Sequence, residues 1–554
     1  MKTSFPRPLI LLLGALFLVN LAQAFFTELL YDEAYYWYYA QSPDWGYFDH
    51  PPMVAWMIGP GLSLFNNELG VRLVGCLMGI GTLLLIWAMT NRAEKTGFWK
   101  EFLVWTGSIP LMHAYGFLSL PDTPLLFFTA LFLLLYRNFL QRPGYAIAIA
   151  LGVVMASLMY SKYHAALVIL FVLLSNLSLL KNRFAWVALA VSLLCYAPHL
   201  VWLYEYDFIS IRFHLFERPN QPYRFTKFTL GFLLNLLALF GLTFPWVSRT
   251  VFRFRPGDRF ERALWFVALG VLLFFFLSSF QRRVQTQWLI VICIPVAVLV
   301  FQKLIDDPGT RKWLWRAGLA NLVILFGLRV GLMYEPLFPV RFETHGNKRW
   351  TANLAAVAGD APVVFENSYR NASMYSFYSG KPAISLNNAY YRKNQYSIDD
   401  SESRVQGKQI FYVPRTRKQT PFHYLDAEGE KRYGFFISPF ASLRKLEAGF
   451  ASPLPLEAGK DYTFWVHNPY DRDVDLTGLR FGVGYLDAYK RLNEIRPLQE
   501  KAPAETGLVH PGDTLFLNIH LPPPGGEAPV FARAVISEYG LPWGLNGSAQ
   551  PMKP

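Results

Sequence analysis

From Pro8 to Phe26 the chain carries no ionisable side chain. A helix needs about 20 predominantly apolar residues to cross the hydrocarbon of a bilayer. Inside lipid every backbone N–H and C=O must find its partner within the protein, so such a run can only be a helix. Comparable runs recur at 8–27, 70–90, 102–119, 122–140, 144–160, 164–180, 184–204, 227–248, 262–280, 286–303 and 313–333. The pattern predicts a polytopic α-helical membrane protein with about eleven transmembrane helices.

Composition agrees. The chain is 53% hydrophobic and 16% charged, against about a quarter charged in soluble domains. The net charge of +13 does not point to nucleic acid, because no basic stretch is interleaved with aromatics as single-strand binders require. Its Lys and Arg residues instead sit in short loops: Arg92, Lys95 and Lys100; Arg137 and Arg142; Lys181 and Arg183; Arg249 to Arg262; Lys303, Arg311 and Lys312. That bias marks the cytoplasmic side, together with Lys2 and Arg7. The expected location is the bacterial inner membrane, multi-pass, with a cytoplasmic N-terminus and a periplasmic C-terminal domain. Ala22-Gln-Ala24 imitates a signal-peptide cleavage site, but the apolar run continues through Phe25 and Phe26, and a retained first span keeps the later topology consistent. Cys76, Cys195 and Cys293 lie inside apolar runs and lack metal-ligand or disulfide-framework spacing.

Two regions break the membrane pattern. Segment 28–69 is too long for a connector. Its Tyr and Trp residues, from Tyr35 to Trp56, suit the lipid interface, and it reads as two interfacial amphipathic helices. Past 335, charges and turn signals return. Val363–Asn367, Ala383–Leu386 and Gln409–Val413 read as strands, with a helix from Tyr369 to Tyr378 that ends at Gly380; this alternation suggests a small α/β unit. From about 425 the strands run without helices (Gly434–Ser438, Tyr462–Val466, Leu479–Tyr485, Thr514–Ile519, Val530–Ile536), the pattern of a β-sandwich. The expected domains are therefore 1–335, transmembrane and catalytic; 336–424, α/β; and 425–554, β-sandwich. Trp465 and Trp543 in the last are open to two readings, sugar stacking or core.

Ionisable groups crowd one side of the membrane. The acids are Asp32, Glu33, Asp44, Asp49 and Asp122, with Glu205, Asp207 and Glu217 later. The cations and imidazoles are His50, Arg72, Lys162, His164, Arg212, His214, Arg218, Arg282 and Arg283. Cations on the non-cytoplasmic side run against the charge bias, and a lipid-linked phosphate would account for them. A carboxylate beside that phosphate would serve as general base or hold a divalent cation. No cofactor is called for, and no ligand spacing supports a metal. Three residues also suit plain structural roles: Asp122 as a helix cap, and Lys162 and Arg72 as cations snorkelling to the bilayer edge.

Tyr31-Asp-Glu-Ala-Tyr-Tyr-Trp37 and Tyr47-Phe-Asp-His-Pro-Pro52 together resemble the first-loop signature of the protein O-mannosyltransferase and aminoarabinose-transferase superfamily of GT-C glycosyltransferases. Gly70-Val-Arg-Leu73, Leu120-Pro-Asp-Thr-Pro124, Tyr160-Ser-Lys-Tyr163 and Tyr391-Arg-Lys-Asn-Gln-Tyr396 extend the likeness over about 1–400. The resemblance implies an inverting glycosyltransferase that moves a sugar from polyprenyl phosphate to a lipid, glycan or protein acceptor. It implies Asp32 as general base, Glu33 as a positioning acid and Asp122 as an orienting acid. It places the leaving phosphate among His50, Lys162, Arg218, Arg282 and Arg283. His50 stands where the aminoarabinose transferases carry Lys, a departure that sets this chain apart from that sugar. The competing reading is a lipid-linked sugar translocase or polymer exporter. It would spread ionisable groups through the bilayer depth, which these apolar runs do not.

Overall fold

The computed structural model describes residues 5–337, 340–416, 419–451, 454–500 and 507–553; Lys2 lies outside them. The chain forms two compact units, Met1–Asp207 with Tyr223–His345, and Phe208–Pro222 with Gly346–Pro554.

The first unit is helical. Among the described residues, 8 helical segments are long and apolar enough to cross a membrane: Arg7–Phe26, Glu68–Met89, Asp122–Gln141, Arg183–Glu205, Thr229–Arg253, Arg259–Ser278, Thr286–Asp306 and Pro308–Met333. The other three expected spans are shorter or broken. Tyr145–Ser161 and Ala165–Ser175 are short apolar helices. The run at 102–119 is interrupted: Trp99–Gly107 ends before Pro110, which opens the separate helix Pro110–Ala114. Proline lacks the N–H that a continuing helix needs, and it pushes the preceding residue out of helical geometry. Ile109 accordingly has extended angles (φ −75°, ψ 109°).

Thr286–Asp306 is buried along most of its length and forms the centre of the bundle. The remaining spans keep an outward apolar face, as lipid-facing helices do. Between such helices lipid removes the hydrophobic driving force, so close backbone approach matters more. Tyr145–Ser161 packs on Arg183–Glu205 at Gly152, where a Cβ would lie 2.5 Å from the Ala188 carbonyl oxygen. Segment 28–69 contains the two short helices Tyr31–Ala40 and Met53–Leu62.

The second unit holds two kinds of sheet. Strands β1 (Val363–Glu366), β2 (Ala383–Leu386), β3 (Ile410–Val413), β4 (Phe422–Leu425) and β5 (Lys431–Ile437) form one sheet in the order β2-β1-β3-β5-β4. β1 runs parallel to β2 and β3, and these three are buried nearly throughout, as parallel strands covered on both faces require. The intervening helix Tyr369–Ser379 ends at Gly380, whose φ of 67° suits a residue without Cβ. The strand Gly434–Ser438, expected to belong to the sandwich, pairs instead as β5 antiparallel to β3, with Ile410 opposite Ile437. β4 folds back on it as a hairpin.

The following strands are β6 (Glu447–Ala451), β7 (Asp461–His467), β8 (Val474–Asp475), β9 (Leu479–Leu486), β10 (Leu492–Pro497), β11 (Gln499–Glu500), β12 (Leu508–Val509), β13 (Thr514–His520), β14 (Phe531–Glu538) and β15 (Gln550–Pro551). They build two four-stranded sheets, β10-β9-β14-β15 and β11-β13-β7-β6, and a β12-β8 pair. Alternate residues of both larger sheets, among them Phe450, Phe464, Val466, Val483, Leu517, Ile519, Ala534 and Ile536, share one core, so these sheets form a sandwich.

The close contact at Gly152 gives the first prediction. Gly152→Leu forces the two helices apart, costs about 1–3 kcal/mol as overpacking does, and lowers the unfolding temperature of the detergent-solubilised protein. An unchanged unfolding temperature would show that the approach is not tight.

Candidate active site

The site begins where the first span ends. Helix Tyr31–Ala40 starts with Asp32 and Glu33 in its first turn, where carboxylates favour the positive end of the helix dipole. The two point in different directions because successive helical residues are about 100° apart.

Glu33 turns inward and is fully buried. Its Oε1 accepts from Arg72 Nε at 2.8 Å and from the Ser119 N–H at 2.9 Å. Its Oε2 accepts from Arg72 Nη2 at 2.5 Å and from the Leu30 N–H at 3.0 Å. Arg72, equally buried, also donates to the Ala24, Thr27 and Glu28 carbonyl oxygens at 3.1, 2.5 and 3.0 Å. These carbonyls lie at and just beyond the C-terminal end of the first span, where orphan acceptors gather and a cation is favoured. One ion pair therefore ties together the end of Arg7–Phe26, the start of Tyr31–Ala40, helix Glu68–Met89 and the turn at Ser119.

Glu33, expected as a positioning acid, has both oxygens bonded by donors. One expectation is corrected here. Arg72 does not snorkel to the bilayer edge; it is among the most deeply buried large side chains. Sequence reading undervalued Arg72 because its partner is 39 residues away. The available signal was a lone arginine in the first turns of an apolar helix.

Asp32 is partly exposed. It acts electrostatically on Tyr115, as does Asp122, and the Tyr115 hydroxyl donates to Asp122 Oδ2 at 3.5 Å. Asp122 opens helix Asp122–Gln141 but is not its cap; that position is Pro121, and no side chain caps the helix. Instead Asp122 Oδ1 accepts from Lys162 Nζ at 2.7 Å. Lys162 is the residue after helix Tyr145–Ser161, and both partners are buried. Tyr115, Asp122 and Lys162 are thus joined by contact, and the charge of Asp32 reaches Tyr115.

The Asp44–His50 loop is pinned by aromatic residues. Trp202 Nε1 donates to Asp44 Oδ2 at 2.9 Å, the His199 ring meets the Trp45 carbonyl oxygen at 2.7 Å, and the Tyr35 hydroxyl donates to Asp49 at 3.1 Å. Gly46 lets the Trp202 ring lie against the backbone, since a Cβ there would fall 2.3 Å from it. His50 is partly buried, with its ring edge-on to Tyr36 at 5.6 Å. His199 and Trp202, which position this loop, carried no sequence signal beyond lying in an apolar span.

The remaining candidate cations are placed differently. Arg282 and Arg283 follow helix Arg259–Ser278, and the Arg282 N–H bonds the Ser278 carbonyl at 2.9 Å. Arg218 lies in the second unit, its N–H bonded to the Phe213 carbonyl oxygen at 2.8 Å. Among the described residues no three His, Cys, Asp or Glu side chains converge as a metal-holding group.

Breaking a buried ion pair from one side strands the other charge, at a cost of about 3–5 kcal/mol. Arg72→Ala and Glu33→Gln should each therefore lower the unfolding temperature markedly. Arg72→Lys should not restore it, because an ammonium cannot match the planar fork. Wild-type stability in Arg72→Ala would disprove the anchoring role.

Comparison with known proteins gives this geometry its context. Residues 49–202 match the family model described as dolichyl-phosphate-mannose-protein mannosyltransferase. The lipid A galacturonosyltransferase RgtD of Rhizobium johnstonii is 27% identical over 402 residues, spanning 66% of this chain and 83% of that protein. The lipopolysaccharide core galacturonosyltransferase RgtA of the same organism is 27% identical over 251 residues, 42% of this chain and 50% of its own. The crystal structure of ArnT from Cupriavidus metallidurans bound to undecaprenyl phosphate shares the fold, with a TM-score of 0.54 at 16% identity over 73% of this chain and 92% of that one. Taken with the membrane bundle described above, these likenesses show a chain that shares the fold of ArnT and is similar over 66% of its length to a lipid A galacturonosyltransferase.

Proposed function

We propose that the chain transfers a sugar from undecaprenyl phosphate, or a closely similar polyprenyl phosphate, to a hydroxyl or phosphate acceptor on the periplasmic face of the inner membrane. The observation that carries this reading is the buried Lys162–Asp122 pair, with Tyr115 bonded to Asp122 and Asp32 one residue before the Glu33–Arg72 anchor. The relatives supply the substrate class: ArnT was crystallised with undecaprenyl phosphate, and two relatives are galacturonosyltransferases of lipid A and of the lipopolysaccharide core. A galacturonic acid donor and a lipid A or core acceptor are accordingly the first pair to test.

In this reading the acceptor oxygen attacks the anomeric carbon opposite the phosphate. The carbon–oxygen bond to phosphate breaks, its electron pair stays on the phosphate, and configuration inverts. Asp32, the partly exposed acid of the first turn, takes the acceptor's proton. Charge grows on the departing phosphate, and prearranged donors stabilise that growth most strongly where water is scarce. Lys162 is the best-supported of these donors. Its bond to Asp122 uses one N–H, and two remain. Asp122 also offsets the cost of burying the ammonium, so the pair arrives almost neutral and gains its charge partner only when phosphate binds. His50, Arg282 and Arg283 complete the proposed phosphate-holding set, with His50 suited to it when protonated.

Asp32→Asn should cut transfer by about 10²–10⁴-fold, the usual worth of a positioned base, while insertion and unfolding temperature stay at wild-type values. The assay is transfer from a synthetic polyprenyl-phosphate sugar to lipid A in detergent or nanodiscs. Wild-type turnover by Asp32→Asn would remove Asp32 from the base role.

A further inference from the structure

The sandwich presents an outward surface that the catalytic reading does not use. In sheet β11-β13-β7-β6 the residues Phe464, Val466, Leu515, Leu517 and Ile519 point into the core. Strand alternation therefore sends Asp461, Thr463, Trp465 and His467 of β7, and Thr514, Phe516, Asn518 and His520 of β13, to the other face. The register sets these residues opposite one another in rungs: Thr514 with His467, Phe516 with Trp465, Asn518 with Thr463, and His520 with Asp461.

The aromatic rung is prepared rather than incidental. Phe516 is 60% exposed. Trp465 faces Gly449 of β6 on its other side. A Cβ at Gly449 would fall 2.6 Å from Trp465 Cζ2 and 2.8 Å from Nε1, so the indole lies flat across the glycine. The second tryptophan left open by the sequence differs. Trp543 packs over Gly482, beneath the Arg480 guanidinium at 5.4 Å.

Polar rungs flank the aromatic one. His520 and Asp461 are hydrogen-bonded at 2.8 Å, and His467 meets the Thr514 hydroxyl at 3.1 Å. Asn518 and Thr463 present an amide and a hydroxyl to solvent. Neither bonds another side chain among the described residues. The four rungs together span roughly 20 Å at two residues per rung.

We propose that this face binds a neutral glycan: a pyranose ring stacked on Trp465 and Phe516, with its hydroxyls held by the polar rungs. An aromatic face carries negative quadrupole density and attracts the C–H groups on one side of a sugar ring. Amide, hydroxyl, imidazole and carboxylate groups around it both donate and accept, as sugar hydroxyls require. Charge argues against two other occupants. The outward positions of β6, β7 and β13 carry Glu447 and Asp461 but no Lys or Arg, so neither an anionic lipid surface nor a polyanionic saccharide is complemented. The choice of a glycan rests on the glycosyltransferase reading, with the face recruiting a neutral stretch of the acceptor.

The test uses full-length protein in zwitterionic nanodiscs, titrated with neutral gluco-, galacto- and manno-oligosaccharides and followed by saturation-transfer NMR. Oligogalacturonate serves as the charged control, with mass photometry for self-association. At least one neutral oligosaccharide should bind, and oligogalacturonate should not. Phe516→Ala and Trp465→Ala should each weaken binding by at least about tenfold. Gly449→Val should do the same by displacing the indole, while Trp465→Phe retains part of the affinity. Asp32→Asn should bind glycan as wild type even though transfer is lost, so a failed platform and a failed catalytic reading give different results. Absence of neutral-glycan binding, or binding that survives both alanine substitutions, would overturn the proposal. So would self-association, or attachment to anionic vesicles, that depends on Trp465 and Phe516.

Discussion

The Glu33–Arg72 ion pair sets the geometry on which the proposed site depends. Burying either charge alone would cost several kcal/mol. Together they satisfy each other and also take up the Ala24, Thr27 and Glu28 carbonyls and the Leu30 and Ser119 N–H groups, joining segments that no regular hydrogen-bond ladder connects. The benefit is positional. Asp32 is the residue before Glu33, so fixing the first turn of one short helix fixes where the candidate base stands. A site built this way places a partly exposed carboxylate precisely while its supporting charges stay out of water.

The Asp122–Lys162 pair answers a different problem. A lysine proposed to hold a phosphate has to wait in a buried place without its ligand. Held at 2.7 Å from a carboxylate, it waits at low cost, and its remaining N–H groups stay available. Arg72 and Lys162 thus show two uses of buried cations in one bundle. The first is consumed by structure, with its guanidinium spread over carbonyls and a carboxylate. The second keeps donor capacity in reserve, as a compact ammonium allows.

Much of this was legible in the sequence because ionisable residues are conspicuous in an apolar chain. Asp32, Asp122 and Lys162 stood out on that ground, and the short motifs around them carried the family resemblance. The pairings were not legible, since Arg72 finds Glu33, and Lys162 finds Asp122, across distances that local patterns do not encode. The aromatic residues Trp202 and His199, which hold the Asp44–His50 loop, looked like ordinary members of an apolar helix. Hydropathy located the spans but missed the break at Pro110, because average apolarity is blind to a missing N–H. In the soluble half, strand periodicity found β5 yet could not say which sheet it joins. That depends on its partner, β3, rather than on its own residues.

The most direct measurement of the central claim is an experimental structure with a polyprenyl-phosphate sugar bound. The account requires the donor phosphate within hydrogen-bonding distance of Lys162 Nζ, and the face of the anomeric carbon opposite the phosphate turned toward Asp32. A donor seated with its phosphate away from Lys162, or with Asp32 on the same side as the leaving oxygen, would contradict it.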